Sequence, residues 1–313
     1  MTGQIDPIVL FFILGLAAGM LKADLRLPQP IYEFVSTLLL LSIGMKGGIE
    51  LARQPMGAIV GDMLLVVLMG CMLTFLAYGM LRYVGRIGRI DAAAIAAHYG
   101  SVSVGTFAVG VAFLGLAAIP YEPQMPLYLV LLEVPAIVIG IVLARGLHAA
   151  TPWKEIMHEV LLGRSVMLLL GGLAIGALAG SDGLDPVKPL FFDLFKGVLA
   201  IFLLEMGLIA SDHLGGFRRH GLFIAAFAVV GPLLFAAVGI GFAQLMGLSP
   251  GGAILLATLA ASASYIAAPA ALRSAVPEAN PALSLTAALA VTFPFNILVG
   301  IPLYQRAVEY VYG

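Results

Sequence analysis

The chain is 313 residues long, 61% hydrophobic and only 11% charged, with a formal net charge of −1. Soluble domains carry about 25% charged residues, so a water-soluble globule is excluded, and the near-neutral balance leaves no electrostatic footprint for nucleic acid. A mean hydropathy of +1.07 and a single cysteine, Cys71, point to a polytopic membrane protein without intramolecular disulfides.

Taken in chain order, apolar stretches bounded by charges or turn residues predict ten spans, at 7–22, 29–46, 57–81, 91–119, 125–145, 165–181, 187–210, 220–246, 250–275 and 281–305. A spanning helix needs about 20 residues. The first and sixth spans are shorter, which favours little tilt or a locally thinned bilayer. The opening "MTGQIDPIVLFFILGLAAGM" has no basic n-region and no A-x-A site, so it reads as a first span rather than a cleaved signal. The runs are continuous and rich in Leu, Ala and Gly, and a helix satisfies its own backbone in lipid. The one sizeable polar linker, 146–164, reads "GLHAATPWKEIMHEVLLGR". Trp153 and Lys154 in it predict an interfacial helix.

The chain then repeats itself. "GLAAG" at 15–19 returns as "GLAIG" at 172–176, "SVS" at 101–103 as "SAS" at 262–264, Pro120 as Pro277, and "GIVL" at 140–143 as "GIPL" at 300–303. The offsets are 157, 161, 157 and 160. Four matches in order at a near-constant spacing predict two repeats of five spans, residues 1–145 and 165–313, joined by the 146–164 linker. Because five is odd, the second repeat enters the membrane from the opposite side. Inverted repeats of this kind build secondary transporters with a site at the midplane. Eleven lysines and arginines, from Lys22 and Arg26 to Arg273, fall in loops after odd-numbered spans, against Lys46, Arg53, Lys188 and Arg306 on the other side. The positive-inside rule then puts both termini outside and the linker in the cytoplasm.

Two spans carry the candidate chemistry. Gly100, Ser101, Ser103, Gly105 and Thr106 interrupt the fourth, and Ser262, Ser264, Tyr265 and Pro269 interrupt the ninth, its repeat-equivalent. A broken helix at membrane depth survives where it is buried or lines a polar cavity. Half-helix N-termini there offer N–H groups to an anion, while freed carbonyls and hydroxyls hold a small cation. A small cation near Ser103 and Ser264 is the expectation. Close helix packing through small residues is the competing reading. Glu133, Glu205 and His98 are candidate coupling or proton-carrying groups, their alternatives being a place near the membrane interface for Glu133, pairing with a neighbouring helix for Glu205 and hydrogen-bonded packing for His98. No enzyme signature is present, neither G-x-S-x-G, H-E-x-x-H nor a nucleotide loop, and no cofactor is expected.

"AASASYIAAPAALRSAVPEANP", followed by "GIPLY", resembles the sodium-dependent bicarbonate transporter family of cyanobacterial carbon concentration, as does "YGSVSVGTFA" its Gly-Ala-Val-Ser-Gly-Ser-Thr motif. The resemblance covers essentially the whole chain. It implies an all-helical fold of ten spans in two inverted repeats, with broken helices at the midplane. It further implies a homotrimer in the bacterial inner membrane, symport of bicarbonate with sodium, and a small trimeric PII-like regulator at the cytoplasmic face. Carried over by position, Ser101, Ser103 and Thr106 belong to the first motif and Ser262 and Ser264 to the second. This chain departs from the family at four places: Gly105 and Ala263 stand where it has serines, Tyr265 where it has an aspartate, and Val104 where it has glycine. The readings kept beside sodium symport are a proton-coupled transporter of another small solute and a solute sensor with little flux.

The orientation is testable. In a Cys71-free background, a cysteine replacing Gln4 is expected to react with an impermeant reagent in intact cells, and one replacing Glu155 to be protected. The reverse pattern overturns the orientation.

Overall fold

The computed structural model describes residues 7–23, 25–54, 56–146, 153–214 and 221–313. Residues 147–152 of the polar linker, together with Arg218 and Arg219 of the charge asymmetry, lie outside the described residues. Among the described residues every regular element is helical. In order these are α1 (Pro7–Met20), α2 (Gln29–Leu51), α3 (Met56–Gly79, continued by a π-helical turn over Met80–Val84), α4 (Arg89–Gly100), α5 (Val104–Leu116), α6 (Met125–Arg145), the short α7 (Trp153–Leu161) and α8 (Arg164–Gly183). After 3-10 and π turns over 185–193 come α9 (Phe195–His213), α10 (Gly221–Leu245), α11 (Pro250–Ala260) and α12 (Ala267–Ala275). A last helix, α13 (Pro281–Tyr312), contains π-helical stretches at Thr286–Thr292 and Asn296–Gly300.

Among the described residues seven helical segments are long and apolar enough to cross a membrane, the α4–α5 pair counting as one, and α1 and α11 are shorter apolar helices. The seventh predicted span corresponds to α9, which starts at Phe195 rather than 187, carries Lys196, Glu205 and Asp212, and is not among those seven. The second and tenth run longer than expected, to Leu51 and Tyr312.

The helices gather into two bundles. In one, α1 packs on α9 and α2 on α8, with α2 also touching α9; in the other, α3, α4 and α6 meet α10, α11 and α13. The repeated pentapeptides sit at the crossings of the first bundle. A Cβ on Gly15 would collide with the Leu204 carbonyl, and one on Gly176 with the Met45 carbonyl. Gly48 meets the Leu173 carbonyl in the same way, and a Cβ on Gly44 would stand 2.7 Å from the Leu169 oxygen. The G-x-x-x-G spacing of 15–19, 44–48 and 172–176 therefore lets backbones touch, which is how helices associate where lipid removes the hydrophobic drive.

Polar clamps tie the helix ends. At one end Arg164 bonds the Glu33 carboxylate at 2.7 Å and Thr37 at 2.8 Å, Arg26 pairs with Asp212, and Arg145 holds both Glu278 oxygens at 3.0 and 3.1 Å. The Asn280 amide reaches Asp91, in the first turn of α4, at 2.9 Å. At the other end Glu122 accepts from the Ser249 amide at 2.5 Å, and Ser249 caps α11. The Glu278 carboxyl is held below the usual range by its own backbone amide and then by Arg145. Its depressed value means the clamp is intact above that range and is lost as pH falls through the lowered value.

Gly48→Leu is expected to force α2 off α8 and cost about 1–3 kcal/mol of overpacking, seen as a lower melting temperature in detergent. Gly171→Ala, where nothing lies within 4 Å of the added carbon, serves as the neutral control.

Candidate substrate site at the crossed helix breaks

The fourth span leaves helical geometry at Ser101–Ser103 and the ninth at 261–266. Both breaks are shorter than the sequence reading made them. Gly105 and Thr106 already lie in the first turn of α5, and Pro269 is the third residue of α12. Proline suits that position because a first-turn N–H has no intrahelical acceptor to lose.

The breaks are stitched to each other. The Ser264 amide donates to the His98 carbonyl at 2.8 Å, and His98 Nδ1 donates back to the Ser264 carbonyl at 2.6 Å. A carbonyl only accepts, so the Nδ1 proton is assigned by its partner. The Ser103 amide donates to Ser262 Oγ at 2.9 Å, and Ser262 Oγ donates to the Leu259 carbonyl at 2.8 Å. Asn296 of α13, which is fully buried, gives its Nδ2 to the Ala261 carbonyl at 2.9 Å, and Tyr304 donates to Asn296 Oδ1 at 2.6 Å. Tyr99 and Thr292 meet at 2.7 Å, and Thr292 Oγ1 passes its own hydrogen to the Ala228 carbonyl. Asn296, Thr292 and Tyr304 were missed in the sequence reading. A polar residue such as Asn296 inside the apolar run "TFPFNILVG" was the available signal.

Ser103 and Ser264 play equivalent parts. Ser103 Oγ accepts from the Thr106 amide at 3.0 Å and caps α5; Ser264 Oγ accepts from the Ala268 amide at 3.1 Å at the start of α12. Ser103 Oγ also accepts from the Thr106 hydroxyl at 2.9 Å. With both lone pairs engaged, Ser103 has only its own proton to offer. The Val104 and Gly105 amides, first in α5, have no intrahelical acceptor. Ser101, 1% exposed, has an Oγ without a hydrogen-bond partner. Gly100 is instead a packing position, where a Cβ would collide with Thr74 Oγ1 and stand 3.0 Å from the Ala136 methyl.

Of the three remaining candidates, His98 belongs to the crossing, whereas Glu205 and Glu133 bond elsewhere. Glu205 is buried on α9 and accepts from the Leu27 amide at 2.9 Å, just ahead of α2. Glu133, 2% exposed on α6 and two residues before the in-helix Pro135, lies beside Ser165, and its Oε2 has no hydrogen-bond partner. His98 closes α4 as described. Tyr265, in the second break, turns its phenol onto Gly105 of α5.

The sequence of residues 7–309 matches the model of the Na+-dependent bicarbonate transporter superfamily. The chain belongs to that superfamily. The match takes in both breaks and every helix from α1 to α13, so this superfamily member is a multi-pass membrane transporter by family and by its apolar helices. No curated protein matches the chain.

Asn296→Leu is expected to strand the Ala261 carbonyl and the Tyr304 hydroxyl. A buried group left unpaired costs about 1–3 kcal/mol, so this variant should melt well below wild type while Gly171→Ala does not.

Proposed function

We propose that the protein is a secondary transporter that takes up a small monovalent anion, bicarbonate, together with sodium. The observation that carries this reading is the all-donor character of the α5 N-terminus. The Ser103 hydroxyl proton and the Val104 and Gly105 amides converge at the positive end of a helix dipole, and such an end favours an anion. Ser101 Oγ and the carbonyls released at the two breaks supply the neutral oxygens a sodium ion takes. Family membership adds the substrate class by analogy.

The same reading holds the chain to be two inverted five-helix repeats with the breaks near the midplane. The pairing of helices supports it: exchanging the two halves turns the α1–α9 contact into the α8–α2 contact, and α3–α4 into α10–α11. The charge asymmetry supports termini outside. A homotrimer in the bacterial inner membrane and a PII-like partner at the cytoplasmic linker rest on the family resemblance alone.

One observation favours proton coupling as the second reading, namely the unpaired Oε2 of buried Glu133. Uptake of radiolabelled bicarbonate into proteoliposomes separates the cases. Under the first reading an imposed sodium gradient drives accumulation. Ser101→Ala, Ser103→Ala and Ser264→Ala each reduce it roughly ten- to a hundredfold, the loss of one hydrogen bond to a charged ligand. Accumulation driven by a proton gradient and abolished by Glu133→Gln establishes the second. Binding without accumulation makes the protein a sensor.

A further inference from the structure

Gly105 is the second residue of α5 and the second break comes to rest on it. A Cβ at 105 would collide with the Tyr265 phenol oxygen and stand 2.8 Å from Phe202 Cε1 and 3.2 Å from Phe293 Cε2. The Tyr265 ring packs edge-on against Phe293, with centroids 5.5 Å apart at 83°. Phe202 is itself stacked on Tyr32 at 5.9 Å. Rings from α9, α13 and the second break thus roof the N-terminus of α5, and they do so in the space a side chain at 105 would occupy.

The phenol oxygen under this roof is buried and has no hydrogen-bond partner. It lies beside the Ser103 hydroxyl and the Gly105 amide without completing a bond to either. Those two are among the three donors assigned above to an anion. A cavity of about 10 Å3 adjoins Gly105, lined by Ser36, Val104, Ala108, Phe202 and Ile266; it has the room one water needs and is too small for a four-atom oxyanion. A buried hydroxyl that forms no bond is held by its ring's packing rather than by its oxygen, so the oxygen has little to lose by leaving.

We propose that Tyr265 is a specificity-determining residue whose phenol oxygen is a built-in occupant of the oxyanion position at the α5 N-terminus, seated in the space Gly105 leaves open and displaced when a small oxyanion binds. The anion-binding half of this rests on the proposed function; the pairing of Gly105 with Tyr265 does not. Solutes that bring an acceptor oxygen to the Ser103 and Gly105 donors replace the phenol, whereas apolar solutes of the same size have nothing to exchange for it. Gly105 and Tyr265 are accordingly one unit, and changing either alters the fit of the other.

The test uses the full chain reconstituted in nanodiscs and has two arms. In the first, Gly105→Ala is expected to lower the melting temperature by several degrees, and Gly105→Ala with Tyr265→Ala to recover at least half of that loss. A fully tolerated Gly105→Ala, or a double variant no better than the single, overturns the pairing. In the second, bicarbonate is titrated calorimetrically into wild type and Tyr265→Phe, which keeps the ring and removes the occupant. Tyr265→Phe is expected to bind roughly three- to tenfold more tightly, because no oxygen then has to leave the anion's place before it enters. Equal or weaker binding by Tyr265→Phe, with wild-type binding intact, overturns the occupancy and makes the phenol a ligand or a bystander. Bicarbonate binding by neither protein removes the substrate assignment as well, a result distinct from either failure.

Discussion

Inside a bilayer an unpaired backbone amide or carbonyl finds no water, and helices persist there because they pair every such group within themselves. At Ser101–Ser103 and again at 261–266 this chain gives up that pairing. Everything around the two breaks follows from the need to restore it. His98 and Ser264 exchange hydrogen bonds in both directions, Ser262 takes the Ser103 amide, and Asn296 reaches across to the Ala261 carbonyl. The His98–Ser264 and Ser103–Ser262 bonds join the two halves of the chain, and Asn296 serves the Ala261 carbonyl from within the second half.

Such a crossing needs rigid surroundings, and the glycine spacings provide them. Backbone-to-backbone contact at Gly15, Gly48 and Gly176 fixes one bundle, and the alanine-rich α4 and α11, buried along most of their length, fix the other. Helix-end clamps hold the loops that follow each broken span against the start of another broken span: Glu122 on Ser249 at one end, Asn280 on Asp91 at the other. The same device is used twice in opposite senses, so the donors at the start of α5 stay aimed without any charged residue at that spot.

That lack of local charge decides what the site is suited to. Ser103 spends both its lone pairs on Thr106, which turns a residue able to hold either ion into a donor only. The carboxylate that the family resemblance places in the second break is replaced here by Tyr265, a neutral phenol. A cation entering this region gains neutral oxygens but no compensating charge, and charge uncompensated within a membrane is expensive. Under the proposed function an anion bound at α5 supplies that compensation, and joint binding of the two ions then follows more readily than independent binding of either.

The sequence by itself determined that the chain is a helical membrane protein, where its polar interruptions lie, and that its halves echo one another, because hydropathy, serine pairs and recurring pentapeptides are local properties written in order along the chain. It also marked Tyr265 as out of place. What it could not determine is which partner each interrupted group would find. Asn296 meets Ala261 across 35 positions and Ser103 meets Ser262 across 159, pairings that depend on how separate helices cross rather than on any pattern within one of them. The placement of Pro269 inside α12, and of Glu205 on the Leu27 amide rather than among the serines, were likewise decided by the tertiary fold. The fit of the Tyr265 phenol over Gly105 is the sharpest case, since a missing side chain has meaning only once another residue is seen to fill its space.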